Sequence, residues 1–70
     1  MNVTELPLDP FSDRLLTSVE VAALFRVGTK TVGRWAKDGK IEHILTPGNR
    51  RRFRESIVRT ALLRYVEGEL

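Results

Sequence analysis

Seventy residues with no cysteine, 41% hydrophobic and 30% charged positions and a formal net charge of +3 make one small domain, without disulfides or thiolate metal sites. A chain this short buries only about 60% of the surface its unfolded form exposes, too little to build a large enclosed active site. No apolar run approaches the roughly 18 residues of a membrane span, and the N-terminus lacks the basic-then-apolar pattern of a secretion signal, so the expected setting is cytoplasmic.

Charge is distributed unevenly. From Arg26 to Arg54 nine bases stand against two acids, whereas Met1 to Asp13 hold three acids and no base, and the residues after Arg54 hold two bases and three acids. A basic block between neutral or acidic ends is the electrostatic footprint of a polyanion-binding surface; a merely solvated basic face has the same composition.

Residues 1–14, with Pro7, Pro10 and no sustained period, predict a flexible acidic tail that docks at most through Leu8 or Phe11. Structure is expected from Leu15. Thr17-Ser-Val-Glu20 has the spacing of a capping box, with Thr17 as the helix cap, and Val21, Leu24 and Phe25 follow at helical spacing, which predicts a helix from Ser18 to Phe25. Arg26-Val-Gly28 interrupts it. A second helix, capped by Gly28 or Thr29, runs to Lys37 with Val32, Trp35 and Ala36 on one stripe and Lys30, Thr31, Arg34 and Lys37 on the other side; Gly39 supplies a left-handed stop. Two short helices joined by three residues are a helix-turn-helix candidate. Gly33 costs about 0.8–1 kcal/mol relative to alanine inside a helix; either the backbone there must approach DNA closely or the loss is tolerated.

Ile41 to Thr46 is β-branched and apolar, Pro47-Gly48-Asn49 is turn chemistry, and Arg50 to Arg54 returns as a second strand, a small hairpin. From Glu55, the recurrence of Ile57, Val58, Ala61, Leu62, Tyr65 and Val66 predicts a third helix to about Val66, with residues 68–70 frayed. The fold class is therefore mainly α with a small β-hairpin, its domain spanning residues 15–67. The expected core is Val21, Leu24, Phe25, Val32, Trp35, Ile41, Ile44, Phe53, Val58 and Leu62.

Strand alternation suggests what the arginines do. With Phe53 facing the core, Arg52 and Arg54 face outward and Arg50 lies near the hairpin tip, a cationic projection that can follow a DNA backbone or enter a minor groove. The plainer reading is an edge hairpin guarded by charge against aggregation. In a helix-turn-helix the start of the second helix meets base edges in the major groove, which assigns base contacts to Lys30, Thr31 and Arg34 and a phosphate contact to Lys37. Trp35, on the stripe with Val32, reads as core and not as a base-stacking residue. His43 stands beside Glu42 without a second metal ligand and reads as a surface residue; no metal, no cofactor and no catalytic constellation is expected.

The run LLTSVEVAALFRVGTKTVGRWAKDGKI followed by TPGNRRRFRES, within Leu15 to Leu63, resembles the small stand-alone DNA-binding domains of the MerR superfamily, most closely the BldC type. That resemblance implies a winged helix-turn-helix: helix, turn, recognition helix, two-stranded wing, helix. It implies a bacterial, nucleoid-associated transcription regulator or, as in related phage and mobile-element proteins, an excisionase that would work beside an integrase. Position by position it carries DNA contacts to Lys30, Thr31 and Arg34 in the helix and to Arg50, Arg51 and Arg52 in the wing, with Arg54 completing the basic strand. The sequence departs from the pattern at Gly33, where a polar residue is usual, at Arg26, where the turn often has glycine, and at Asn49-Arg50, where Gly-His or Gly-Tyr is common. Full-length MerR regulators add a dimerising helix and an effector domain. With the chain ending at Leu70, the expectation is double-stranded DNA bound by head-to-tail copies on repeated sites, with no small-molecule effector and no membrane.

Overall fold

The computed structural model describes residues 13–69. The expected tail up to residue 12, including Leu8 and Phe11, and Leu70 lie outside the described residues. In chain order the elements are β1 (Leu15–Thr17), α1 (Ser18–Phe25), α2 (Thr29–Lys37), β2 (Ile44–Leu45), β3 (Arg51–Arg54) and α3 (Glu55–Val66). The fold is mainly helical with one small antiparallel sheet, consistent with a winged helix-turn-helix.

Each helix begins and ends where backbone chemistry dictates. The capping box at α1 is complete: the Thr17 Oγ1 accepts from the Glu20 amide at 3.2 Å, and the Glu20 carboxylate accepts from the Thr17 amide at 2.9 Å. At its other end the Arg26 amide donates to the Ala23 carbonyl and the Val27 amide to the Ala22 carbonyl, at 3.2 and 3.0 Å, a Schellman closure. Arg26 carries the left-handed conformation of that closure, φ 60°, so the turn keeps the geometry for which glycine is often used. The same pair of bonds closes α2 at Gly39, φ 79°, and follows α3 at Gly68, φ 81°, where Glu69 also pairs with Arg64 at 3.8 Å.

The start of α3 has no cap from its own flanking residue. Asp13 supplies one from the far end of the chain: its Oδ1 accepts from the Ser56 amide at 3.1 Å and its Oδ2 from the Ser56 hydroxyl, while the Arg14 carbonyl accepts from the Glu55 amide at 2.8 Å. The last two residues of the expected tail are thus held to the domain. The hydrogen bonds from the Ser56 hydroxyl and amide hold the Asp13 carboxyl below its ordinary value, outweighing the opposing effect of desolvation, with lesser help from the Arg54 and Arg59 guanidinium groups.

The sheet differs from the expected hairpin. It has three strands in the order β1-β3-β2, so β3 is central, paired on one side through Leu16↔Phe53 and on the other through Leu45↔Arg51. A strand of three residues shows no period of its own, and its pairing with residues 35 or more positions away is invisible to local patterning. β2 is shorter than the expected Ile41–Thr46, because Ile41 is drawn into the core directly after the α2 stop, at 1% exposure. The Pro47-Gly48-Asn49 loop turns as expected, with Asn49 left-handed at φ 67° and the Thr46 carbonyl accepting from the Asn49 amide.

Leu16, Val21, Ala22, Phe25, Val32, Trp35, Ala36, Ile41, Phe53, Val58 and Ala61 form the core. Phe25, Trp35 and Tyr65 meet edge to face or tilted, with ring centroids 5.2 to 5.5 Å apart, and thereby join all three helices. Two expected core residues are not there. Leu24 is 50% exposed because the buried stripe of α1 runs through Val21, Ala22 and Phe25; Leu24 lies to one side, over a shallow cleft with Arg14, Glu20 and Glu55. Ile44 is 38% exposed because its register partner is Arg52, which puts it on the sheet face opposite Phe53. Leu62 is only partly buried, packed against the rim of the core.

Thr17→Ala removes half of the capping box and is expected to lower unfolding stability by about 1 kcal/mol, read as a lower urea midpoint at unchanged slope. A second expectation concerns acid. Since the folded carboxyl of Asp13 is depressed, its stabilisation is complete above the unfolded carboxylate value and is lost as pH falls through the folded one. The melting-temperature gap between the native chain and Asp13→Ala should therefore be constant near neutrality and close below about pH 4. A gap that persists at pH 2 would contradict this origin.

Candidate nucleic-acid interface

The candidate contact residues lie on α2 and on or beside β3. In α2 the buried residues are Val32, Trp35 and Ala36, which turns Lys30, Arg34 and Lys37 to solvent and leaves Thr31 half-exposed beside them. Trp35, 8% exposed and in contact with two other rings, belongs to the core. The first turn of α2 has no acidic residue and Gly28 caps it without a side chain, so the positive end of the helix is uncompensated.

In β3 the side chain of Phe53 is wholly buried and fixes the alternation. Arg52 and Arg54 share the opposite face with Thr17, Leu15 and Ile44, their register partners, while Arg51 lies on the same face as Phe53. All three are half-exposed, and Arg50, just outside the strand, is exposed. Arg52 Nη1 donates to the Arg51 carbonyl at 3.0 Å. The wing arginines therefore do not act as one bundle. Arg51 reaches α2, its Nη1 3.6 Å from where a Cβ on Gly33 would stand, and its Nε is buried without a hydrogen-bond partner among the described residues. That placement was available from the two-residue period counted back from Phe53, but the contact with Gly33 was not.

Arg50, Arg51 and Arg52 also wall a shallow open cleft whose other side is Thr17, Ser18 and Val19 at the start of α1. The amides of a first helical turn attract anions, so this cleft and the arginines favour the same sign of ligand.

The electrostatics of these side chains differ from those of the remaining surface. Among the described residues the ion pairs are Arg14–Glu20 at 3.9 Å, Arg59–Glu55 at 3.5 Å and Arg64–Glu69 at 3.8 Å. None involves Lys30, Arg34, Lys37, Arg50, Arg51 or Arg52. Nor does edge protection account for the arginines, because β3 is paired on both sides and has no free edge to guard.

His43 is half-buried, its ring tilted against Phe53 at 6.1 Å, and not simply a surface residue. No group of three or more potential metal ligands occurs among the described residues, and none of their helices is long and apolar enough to cross a membrane.

No curated protein matches the chain. Residues 15–69 match the family described as the helix-turn-helix domain, a DNA-binding family that includes excisionase-like proteins and is typically non-enzymatic. With α1, its left-handed turn and α2 in the arrangement that gives the family its name, and the match covering most of the chain, this protein belongs to the helix-turn-helix domain family.

Proposed function

We propose that the protein binds double-stranded DNA sequence-specifically, with α2 in the major groove and the arginines of β3 and its preceding loop on the adjacent backbone. The observation that carries this reading is that Lys30, Arg34 and Lys37 on α2 and Arg50, Arg51 and Arg52 at the wing form no ion pair with an acid among the described residues. A protein that leaves such charges unpaired sustains their mutual repulsion in the free state, and a polyanion relieves it. In this reading Lys30, Thr31 and Arg34 face base edges, Arg34 being suited to guanine by its paired donors, while Lys37, Arg50, Arg51, Arg52 and Arg54 meet phosphates.

The finer assignment is a small regulator of the MerR type, similar to BldC, acting in the bacterial nucleoid on repeated sites. Excisionase activity beside an integrase is the second reading, favoured by the excisionase-like members of the matched family. Both use the same face of the domain. Self-association along DNA has its support in the exposed Val19, Leu24, Leu63 and Val66, which give neighbouring copies apolar surface to cover, and in the separation of the basic middle of the chain from its acidic last stretch. Such contacts are heterologous and need not close. Neither catalysis nor a cofactor or effector forms part of the proposal.

Binding to duplex DNA should weaken steeply with salt. Neutralisation of about five phosphates gives a slope of roughly −4 to −5 for log affinity against log salt concentration. Arg34→Ala should relax preference at one base position in a selection from randomised duplexes, whereas Arg52→Ala should weaken all sequences alike. A salt-independent interaction, or no mobility shift of duplex DNA at low salt, points instead to a protein-interaction adaptor. For the repeated-site reading the measurement is footprinting on one, two and four tandem sites: occupancy should steepen with site number, and identical curves would exclude cooperation.

A further inference from the structure

Gly33 and Arg51 are far apart in sequence and adjacent in space. Glycine inside α2 weakens the helix relative to alanine, yet the position lies on neither the buried stripe nor the fully exposed face. The Arg51 guanidinium occupies the room beside it, with Nη1 3.6 Å from the missing Cβ. On β3, Arg51 has the register of a core-facing residue, opposite Leu45 and two positions from Phe53, so its stem must run along the protein before its charge reaches solvent. Its Nε is buried and has no acceptor among the described residues, and no acid there pairs with the guanidinium. A buried donor without an acceptor is a cost that native proteins rarely leave standing without a purpose.

We infer that Gly33 is the seat of Arg51: the lack of a bulky side chain there lets the guanidinium lie against the recognition helix, fixed between α2 and the wing as a preformed clamp for one backbone phosphate. An arginine held this way loses less conformational entropy on binding than one that swings free. A small residue at position 33 thereby sets affinity without touching DNA. The inference rests on the DNA-binding reading for its ligand, but the seat itself is a property of the free protein.

The test is a cycle of four proteins: the native chain, Gly33→Leu, Arg51→Gln and the double variant, with Gly33→Ala as a fifth. Leucine keeps the helix but fills the seat; glutamine keeps part of the arginine stem without its charge. Gly33→Leu and Arg51→Gln are each expected to weaken binding to a duplex roughly tenfold, the order of one charged hydrogen bond, and to reduce the salt slope by about one. The double variant should bind no more weakly than Arg51→Gln alone. Gly33→Ala, whose Cβ would make only ordinary contact at 3.6 Å, should keep the affinity and melt at a higher temperature. Losses that add in the double variant, or native affinity in a Gly33→Leu that melts cooperatively, overturn the inference.

The free protein separates the two possible failures. In NMR spectra without DNA, the Arg51 Nε–H should exchange slowly with water and resonate apart from those of the exposed arginines, and Gly33→Leu should abolish both features. If these hold but the native chain binds no duplex, the DNA reading falls and the seat stands. If the native Arg51 Nε–H exchanges like that of Arg50, the seat is wrong, whatever the DNA results.

Discussion

The burial of Phe53 is the constraint on which the rest of this fold depends. Its side chain is wholly enclosed, its strand is paired on both sides, and it belongs to a core to which all three helices contribute. Burying a phenylalanine stabilises a domain by about 1.5–3 kcal/mol, a large share of what 70 residues can supply. Because a strand alternates, this one anchor also decides the side of every arginine near it. A shift of register by one residue would put guanidinium groups in the core, so the sequence RRFR admits only one placement.

The helices are held by a different principle. Each of the three ends in the same closure, with a residue in the left-handed region satisfying the last carbonyls. Two of those residues are glycines and one is Arg26, for which the conformation costs about 1–2 kcal/mol. That arginine stands in the turn between α1 and α2, so the closure that orients the second helix is also the most strained of the three. The packing of Val27 against the core and the contact of Phe25 with Trp35 compensate by fixing both helices to one hydrophobic centre.

Ion pairing is distributed unevenly over the described surface. The ion pairs of the described residues lie on α1, α3 and their flanks, each exposed and worth at most about 1 kcal/mol. Among the described residues Lys30, Arg34, Lys37, Arg50, Arg51 and Arg52 have no such partner. Their repulsion is tolerable because the charges are spread over two elements and both sheet faces, and because water and salt screen them.

Most of the helical architecture was legible in the sequence: the bounds of α1, α2 and α3, the capping box at Thr17 and Glu20, the stop at Gly39 and the inward facing of Trp35 all follow from interactions within four or five residues. Helix signals are local, since every bond and cap closes over a single turn. The third strand, the exposure of Leu24 and Ile44, the half-burial of His43, the capping of α3 by Asp13 and the meeting of Arg51 with Gly33 were decided only by tertiary structure. Each joins parts of the chain separated by many residues, or depends on which of two neighbouring apolar residues faces an already filled core. The sequence by itself determined which residues are charged and which segments coil. Only the packed structure decided which charges meet another element, as Arg51 meets Gly33, because such contacts join residues far apart in the chain.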